Sequence, residues 1–400
     1  MVFKKTVLLL YDEATDIHNK EILKIKILHI PNYYPPHVGG IEDVCHSIVT
    51  ALPGFEHHVI CFNDQKQTVK EKVEGVQVIR CGVWDKLFSQ SVSFSFYKEL
   101  KQIFKSFDPD IVHFHTPNPL SSVYLLMLLP EKTKLIVHWH SDIIEQNFLY
   151  LFYHPIENRL LKRADKIVAT SPTYINESKP LKKWNNKINI IPNTVNTSKL
   201  QRQEGDEKAI EGIKRLYEGK KIIFTFGRHV TYKGLKYLIE AAPLVSDNAV
   251  IIVAGKGPLS DSLKESAKNF SNIHFIGRIE NKTLRQYLYA ADIFAFPSIT
   301  RNEAFGIAMI EAMYCELPVV TFTIPGSGVN WVCPDGKTGF ESENGNAKAL
   351  AGAINELINN DDLRRRLGTN ALKRTKDFFV MDAIKEDLIT LFESLRVNKE

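Results

Sequence analysis

Cysteine is scarce in this chain, and long apolar runs are missing from it. The five cysteines are scattered, odd in number and never two residues apart from one another. Such a distribution argues against a disulfide framework or a zinc knuckle and is typical of a reducing cytosol. No apolar run approaches the roughly 20 residues that cross a bilayer, and the apolar stretch at 6–11 soon meets acidic residues, unlike a signal peptide. We therefore expect a cytoplasmic protein.

A strong charge imbalance and the best-known nucleotide-binding motifs are also absent. Lys and Arg number 51 against 46 Asp and Glu, a formal net charge of +5 that falls far short of a nucleic-acid-binding protein. No P-loop motif occurs, and the turn from Gly255 to Pro258 lacks the third glycine of the dinucleotide fingerprint. The sequence thus disfavours nucleic-acid partners, P-loop ATPases and NAD-dependent enzymes.

What the sequence does contain is a regular alternation of short β-rich runs with helical-period segments, beginning at Lys24. This alternation indicates βαβ units on parallel sheets. The first series of predicted strands comprises Lys24–Ile30, His58–Phe62, Val76–Cys81, Ile111–His115, Lys134–Trp139, Lys166–Thr170 and Asn189–Ile191. The second series comprises Lys221–Phe226, Val250–Ala254, Ile273–Ile276, Ile293–Phe296 and Pro318–Phe322.

The two series predict an α/β protein with two Rossmann-like, doubly wound parallel-sheet domains, since a polar loop and one helical stretch separate them at 192–220. We assign 1–23 to an N-terminal extension, 24–200 to the first domain and 201–375 to the second. The segment 376–400 has helical spacing and is expected to pack back toward the first domain. Doubly wound sheets bind ligands beyond the carboxyl ends of their strands, so facing domains would share a central cleft.

The sharpest local signal is FGRHVTYKG, from Phe226 to Gly234, which follows a strand and precedes a helix. Arg228 and Lys233 leave the sheet where helix N-terminal amides also point, a geometry suited to phosphate. Arginine can hold two phosphate oxygens and lysine adds a compact charge, so the two could neutralise a diphosphate without a metal. The alternative is an ordinary polar loop whose basic residues face water.

The second signal is RNEAFGIAMIE, from Arg301 to Glu311. A helix that begins near Ala304 would offer free backbone N–H groups at Phe305 and Gly306 to an anion. If both are helical, Glu303 and Glu311 are about 12 Å apart along the axis, far enough to hold hydroxyls at opposite ends of one elongated ligand. The alternative is a pair of solvated glutamates on one helix.

Glycine turns and one histidine accompany these motifs. Gly39 and Gly40 follow the first strand and precede a helix, while Gly255 and Gly257 follow a strand of the second series, so both turns permit close approach of backbone to a ligand. His140, at a strand end, could contact a polar substrate. Because no Gly-x-Ser-x-Gly elbow is present, the nearby Asp142 does not indicate a hydrolase. The pair Asp108 and Asp110 lies at a strand entrance, on the edge away from the cleft, and no metal is expected.

Taken in order, these motifs resemble the retaining GT-B glycosyltransferases of family four over nearly the whole chain from Lys24. They are GGIE from Gly39, DPDIVHFH from Asp108, HSD from His140, IPN from Ile191, Gly227 and Arg228 with Lys233 and Gly234, the turn from Gly255 to Pro258, and EAFG from Glu303 with Glu311. The family pattern usually continues IPN as Gly-Val-Asp, whereas this chain has Thr194 and Asn196 at the first and third of those positions.

The resemblance implies a role for each matching residue. Arg228 and Lys233 would bind the diphosphate of a nucleotide-sugar donor, with Gly39 and Gly40 near it. Glu303 would hold hydroxyls of the transferred sugar and Glu311 those of the ribose. His140 would lie beside the donor sugar and the reacting bond, which makes it a catalytic candidate with Arg228, Lys233 and Glu303. Donor binding would further involve Gly255, Gly257, Ala304, Phe305 and Gly306.

The resemblance also implies the reaction, with no metal and no cofactor. The enzyme would transfer a sugar with retention of anomeric configuration to a hydroxyl of a glycan or lipid-linked saccharide in cell-surface polysaccharide or glycoconjugate assembly. Two alternatives share the cleft architecture: a nucleotide-sugar epimerase or phosphorylase, and an inactive sugar-nucleotide-binding partner. A phosphorylase needs a lysine-bound pyridoxal cofactor and usually a longer chain. An inactive partner would be expected to lose the Arg, Lys or Glu positions, which are intact here.

Two segments favour an acceptor at an anionic membrane surface. In 94–107, aromatic residues alternate with Lys98, Lys101 and Lys105 at helical spacing, as in interfacial helices. From Arg159 to Lys187 there are eight basic residues against two acidic ones, a patch that anionic lipid attracts. The alternative is that the aromatic residues face the core and the charges face water. We expect a cytoplasmic protein, peripheral at the inner face of the membrane.

Overall fold

The computed structural model describes residues 24–37, 39–87, 90–143 and 147–396. The predicted extension 1–23 lies outside these residues. Two parallel-based sheets dominate the fold, one of eight strands and one of six, together with a small two-stranded ribbon. The prediction of two doubly wound α/β domains is therefore confirmed.

The first domain is built on the eight-stranded sheet, in the order β10-β9-β8-β7-β1-β2-β4-β3. All of its strand pairs are parallel except β3 with β4. Its elements are β1 (Lys26–Ile30), α1 (Gly40–Ala51), β2 (Glu56–Phe62), β3 (Val69–Val73), β4 (Val76–Cys81), the ribbon β5 (Asp85–Leu87) and β6 (Gln90–Val92), α2 (Phe94–Ser106), β7 (Ile111–Thr116), α3 (Pro119–Leu128), β8 (Lys134–Trp139), α4 (Asn147–Arg163), β9 (Lys166–Ala169), α5 (Pro172–Glu177), a 3₁₀ segment (Leu181–Lys187) and β10 (Ile188–Ile190).

The second domain is built on the six-stranded sheet, in the order β13-β12-β11-β14-β15-β16, with every pair parallel. Two short 3₁₀ turns flank its first helix after β11. The linker and second-domain elements are α6 (Thr197–Leu200), α7 (Asp206–Leu216), β11 (Lys221–Phe226), α8 (Leu235–Ala241), β12 (Ala249–Ala254), α9 (Ser260–Ala267), β13 (Ile273–Gly277), α10 (Asn281–Ala290), β14 (Ile293–Phe296), α11 (Ile307–Tyr314), β15 (Val319–Phe322), α12 (Val329–Val332), β16 (Gly339–Ser342), α13 (Ala347–Asn359), α14 (Asp361–Phe378) and α15 (Met381–Glu393).

The last helix crosses between the domains. α14 belongs to the second domain, whereas Ile384, Leu388 and Phe392 of α15 pack with residues of β1 and α1 in one apolar cluster. Such a helix buries its apolar stripe only against a partner face, and here the first domain supplies it. None of the helices in the described ranges has the length and apolar character that a bilayer-spanning segment requires.

A buried ion pair joins the linker to the second domain. Arg285 of α10 donates from Nε to Oδ2 of Asp206 at 2.6 Å and from Nη2 to Oδ1 at 3.1 Å. The Asp206 carboxylate also accepts from the Gln203 backbone N–H and the Gln286 side chain. The side chains of Arg285 and Asp206 are only 3% and 1% exposed. Hydrogen bonding from Arg285 holds the pKa of Asp206 below its ordinary value despite its burial.

This buried pair predicts that removal of the Asp206 carboxylate destabilises the protein far more than removal of the neighbouring Glu207 carboxylate. Asp206→Ala leaves Arg285 charged and buried, which costs about 3–5 kcal/mol. The matched control is Glu207→Ala, since Glu207 and its partner Arg202 are 66% and 52% exposed and such pairs contribute about 0–1 kcal/mol. Thermal unfolding followed by circular dichroism measures both. Equal melting temperatures for the two variants would contradict the importance of the buried pair.

Candidate active site

Lys233 and Glu303 meet at the carboxyl ends of two neighbouring strands. Lys233 follows β11 and Glu303 follows β14, which pairs directly with β11. The Lys233 ammonium donates to Oε2 of Glu303, and the two side chains are 18% and 11% exposed. Burial alone would lower the pKa of Lys233, but Glu303 and, to a smaller extent, Tyr232 together outweigh it and hold that pKa above its ordinary value. The two residues therefore form a largely desolvated ion pair.

Two serines fix Glu303, and the sequence analysis missed both of them. The Ser298 hydroxyl donates to Oε2 of Glu303 at 3.2 Å, and the Ser327 hydroxyl donates to its backbone carbonyl. Both serines are buried. Their position after the last residues of β14 and β15 was the available signal, since strand-end polar residues of a doubly wound sheet gather at one edge.

Arg228 lies beside Lys233. The two residues line one small cavity with Phe296, Pro297 and Ser298. Arg228 is exposed, whereas the Lys233 ammonium lies 5.1 Å from the centre of the Phe296 ring. An exposed guanidinium and a mostly buried ammonium thus flank the same opening, where an anion could contact both.

The expected helix from Ala304 is wrong. α11 begins at Ile307, with Gly306 as its N-cap at φ 89°, a left-handed conformation that favours glycine. Phe305 is buried and packs against Trp331 and Phe379. Glu303 therefore lies in a turn before the helix, so the 12 Å estimate for its separation from Glu311 does not apply. The amides nearest the helix start belong to Ile307 and Ala308.

Glu311 is half-buried on α11. Next to it lies an ion pair between the linker and the first domain. Lys199 of α6 donates to Asp43 of α1 at 2.8 Å. Burial raises the pKa of Glu311 to about 7; Asp43 adds to the rise and Lys199 opposes it. Glu311 can therefore exist in both ionisation states near neutral pH.

The glycine turns permit close packing of one loop on another. A Cβ on Gly255 would lie 1.9 Å from the carbonyl oxygen of Gly227, and one on Gly257 would lie 2.4 Å from that of His229. A Cβ on Gly40 would lie 2.9 Å from Cδ1 of Ile307, across the two domains. α1 begins at Gly40 with Gly39 as its N-cap, and the helix after Gly257 starts at Ser260.

His140 ends a row of six buried histidines, which the sequence analysis did not identify. The histidine row comprises His57, His29, His113, His138, His115 and His140, all on β2, β1, β7, β8 or the residue following β8. His115 Nδ1 and His140 Nε2 are 2.9 Å apart. Burial first, and then the neighbouring His113, lowers the pKa of His140 to about 3, so this imidazole is neutral at physiological pH.

Hydrogen bonds assign the tautomers along most of the row. The Leu52 carbonyl can only accept, so His57 Nε2, 2.8 Å away, donates to it. A neutral imidazole has one donor and one acceptor nitrogen, so each histidine that donates must accept from the next one. His29 therefore donates to His57 at 2.9 Å, His113 donates to His29 at 3.2 Å, and His138 donates to His113 at 3.2 Å. This directional chain leaves Nε2 of His138 as an unprotonated acceptor without a protein partner.

The row does not have the arrangement of a good metal site. His113, His115 and His138 offer nitrogens within 4.8 Å of one another. However, His113 and His138 bond to each other, and the rings of His115 and His138 stack 5.1 Å apart at 22°. Lone pairs lie in the ring plane, so near-parallel rings do not direct them to one point. The geometry favours a hydrogen-bonded row of neutral imidazoles.

Two facing parallel-sheet domains with these strand-end residues define a protein of GT-B architecture. Solved structures agree: a sucrose-phosphate synthase from Thermosynechococcus elongatus has a TM-score of 0.75 at 19% identity, covering 93% of this chain and 99% of that one. Anabaena HepE in complex with UDP has a TM-score of 0.74 at 18% identity, covering 92% and 100%.

Sequence comparison assigns the family. Residues 206–374 match the glycosyl transferases group 1 model, and residues 38–199 match the glycosyltransferase family 4 model. The O-antigen chain mannosyltransferase C of Escherichia coli is 29% identical over 380 residues, covering 94% of this chain and all of the relative. This chain therefore belongs to the GT-B glycosyltransferases that these two models describe.

The histidine row predicts a loss of stability in mild acid. All six pKa values lie below the ordinary 6.5, with burial as the main cause. The unfolded chain therefore binds more protons below that pH, and the free energy of unfolding falls by up to about 1.4 kcal/mol per pH unit per histidine.

Comparison of melting temperatures at about pH 7.5 and 5.5 measures this loss. His113→Leu removes one titrating group and should reduce the difference between the two temperatures. The control His274→Gln changes an exposed histidine and should leave the difference unchanged. If the unmodified protein and both variants show the same difference in melting temperature between the two pH values, the idea of a neutral buried histidine row is contradicted.

Proposed function

We propose that this glycosyltransferase is a retaining, metal-independent enzyme that transfers a sugar from a nucleotide-diphosphate sugar to a hydroxyl of a glycan or lipid-linked saccharide. The desolvated Lys233–Glu303 pair carries the proposal, because it places a cation and a hydroxyl-binding carboxylate side by side at the edge where doubly wound sheets bind ligands. HepE, a fold neighbour, binds UDP, and the relative in E. coli is an O-antigen chain mannosyltransferase. The first supports a nucleotide-diphosphate donor, and the second supports cell-surface polysaccharide assembly.

In this proposal the leaving group is stabilised by charge. Cleavage of the bond between the sugar C1 and the phosphate oxygen adds negative charge to the nucleoside diphosphate. Lys233, Arg228 and the amides at the start of α11 bind that charge more tightly in the transition state than in the ground state. Lys233 is mostly buried and therefore acts in a lower dielectric, where its interaction with the leaving group is stronger than in water.

The remaining residues bind the sugar and the ribose. Glu303 accepts hydrogen bonds from the donor sugar and Glu311 from the ribose. The acceptor oxygen attacks C1 from the face that the diphosphate leaves, a new C–O bond replaces the old one, and the acceptor proton passes to the departing phosphate oxygen. His140 lies beside the sugar as a neutral imidazole, which avoids repulsion with positive charge that develops at C1.

Loss of the lysine should abolish most turnover while the fold persists. Lys233→Ala removes the fixed cation, and we expect a fall in kcat of at least about 100-fold. The matched control is Lys236→Ala, because Lys236 is an exposed lysine three residues further along, on α8. Transfer from radiolabelled nucleotide sugars to acceptor measures the effect, after a thermal-shift screen has found the nucleotide that stabilises the protein. Near-normal turnover in Lys233→Ala would refute the role.

We further propose that the first domain binds an anionic membrane surface that carries the acceptor. Phe96, Phe104 and Phe107 face the core, so the aromatic pattern of α2 is mainly explained by packing. Other apolar side chains of the first domain are nevertheless 66–71% exposed, namely Trp84, Phe94, Met127, Leu151 and Phe152. Exposed lysines accompany them at Lys98, Lys101 and Lys105. Apolar contact and basic charge together favour peripheral binding at the inner face.

Vesicle flotation tests this surface. Phe94→Ser should weaken binding to vesicles rich in phosphatidylglycerol roughly tenfold, the loss expected from one aromatic side chain. Leu216→Ser is the matched control, because Leu216 is equally exposed at 71% but lies in the second domain. Absence of the unmodified protein from the floated fraction, or equal losses in both variants, would refute the proposal.

A further inference from the structure

Arg301 belongs to the second domain, but its guanidinium is held by the first. Its Nη2 donates to Oδ2 of Asp142 at 2.8 Å, and its Nη1 donates to the carbonyl of Glu177 at 2.8 Å. The guanidinium carbon also lies 4.9 Å from the centre of the Tyr174 ring. We name Asp142, Tyr174 and Glu177 the Arg301 socket. An ion pair, a hydrogen bond at a helix end and a cation–π contact act together here.

Hydrogen bonds within the first domain hold Asp142 of the socket in place. Oδ1 of Asp142 accepts from Nε1 of Trp139 at 2.9 Å and from the Ser178 hydroxyl at 2.7 Å. The Asp142 backbone N–H donates to the Tyr174 hydroxyl at 2.7 Å. These bonds leave Oδ2 of Asp142 for Arg301. The Asp142 side chain is 10% exposed and that of Arg301 is 23% exposed, so the pair is partly shielded from water.

Near Arg301, glycine backbone of the second domain also comes close to side chains of the first. A Cβ on Gly326 would lie 2.8 Å from Cβ of Glu177, and one on Gly328 would lie 2.6 Å from the Ser171 hydroxyl. Ala304, next to Glu303, packs in the apolar cluster of the first domain. The contact around Arg301 is therefore a close fit along the loop after β15 and the turn after β14.

Arg301 and Asp142 each lie close in sequence to a candidate site residue. Arg301 lies two residues before Glu303, and Asp142 lies two residues after His140. The contact between Arg301 and Asp142 therefore limits how far Glu303 on the second domain can lie from His140 on the first. Donor-sugar binding through Glu303 and the location of His140 then depend on the same contact.

We propose that Arg301 and Asp142 are positioning residues, whose ion pair across the cleft sets the catalytic spacing between Glu303 and His140. Neither residue has to touch the donor. The proposal rests on the proposed transferase function for its kinetic consequence, but the domain arrangement that it describes can be measured without substrate. Misplacement by about 1 Å costs on the order of 100-fold in rate, so the pair should affect turnover more than nucleotide affinity.

The structural test uses a distance between the domains. All five cysteines are buried, so nitroxide labels can be attached to E131C in the first domain and K348C in the second, both at exposed positions. Pulsed electron resonance without ligand should give a narrow distance distribution for this labelled protein. Arg301→Met should broaden it or shift it, whereas Arg365→Met should not, since Arg365 pairs with Asp362 within α14. An unchanged distribution in Arg301→Met would overturn the proposal.

The kinetic test separates positioning from direct binding. Arg301→Met should lower kcat about 10- to 100-fold, while the Kd for UDP or GDP, whichever stabilises the unmodified protein, changes less than about threefold. Asp142→Asn keeps the acceptor for Trp139 and Ser178 but removes the charge, and the double variant should lose no more than Arg301→Met alone. A matching rise in the nucleotide Kd, or additive losses in the double variant, would overturn the positioning role.

The two tests also separate this inference from the proposed function. If the unmodified protein neither binds a nucleoside diphosphate nor transfers a sugar, the transferase proposal fails, yet the distance measurement still decides whether Arg301 holds the domains. If the unmodified protein is active and Arg301→Met alters neither distance nor kcat, only the inference fails. A melting temperature for each variant close to that of the unmodified protein shows that loss of fold is not the cause.

Discussion

The Lys233–Glu303 ion pair is the interaction on which the candidate site depends. Two opposite charges that are mostly withdrawn from water are tolerated only when they pair closely and their remaining polar atoms find partners. Ser298 supplies one such partner and Ser327 fixes the backbone of Glu303. A diphosphate that entered the opening would compete with Glu303 for the lysine. The carboxylate would then be released to accept hydrogen bonds from sugar hydroxyls, so the same pair can serve both parts of a donor.

The first domain contributes neutral rather than charged side chains to the cleft. Its wall of the cleft ends in the histidine row, whose imidazoles are held neutral mainly by burial, which lowers their pKa values. A cationic side chain next to C1 would oppose the positive charge that develops there as the sugar–phosphate bond breaks. A neutral imidazole can still donate or accept one hydrogen bond. In the proposed mechanism the domains therefore have different roles: the second would offer fixed charge to the diphosphate and the first uncharged polar contact to the sugar.

Much of the fold could be predicted because buried parallel strands are continuous apolar runs between turn signals. Lys221–Phe226 and Ile293–Phe296 were predicted with the bounds that the structure has. The edge strands Val69–Val73 and Gly339–Ser342 were missed, since edge strands carry polar residues and lack that apolar run. The start of α11 was misplaced because the left-handed turn at Gly306 is a backbone conformation that composition alone does not specify.

The partners within the site could not be predicted, since they depend on strand order. Lys233 meets Glu303 because β11 lies next to β14, and the histidines form one row because β8, β7, β1 and β2 are neighbours in that order. Sequence order places each of these residues at a strand or a strand end but does not say which strands are adjacent. The resemblance to family four predicted two doubly wound domains that face a cleft but no strand order, and the Ser298 and Ser327 supports and the Arg301 socket became visible only in the structure.

Glu311 shows how domain closure and charge are connected. Its pKa of about 7 reflects burial and the Asp43 carboxylate, and Asp43 belongs to the first domain. If the domains separated, water would reach Glu311 and Asp43 would withdraw, so both causes of the raised pKa would weaken and the carboxyl would ionise. In the proposed role, an ionised Glu311 accepts hydrogen bonds from two ribose hydroxyls, whereas its acid form has lost acceptor capacity.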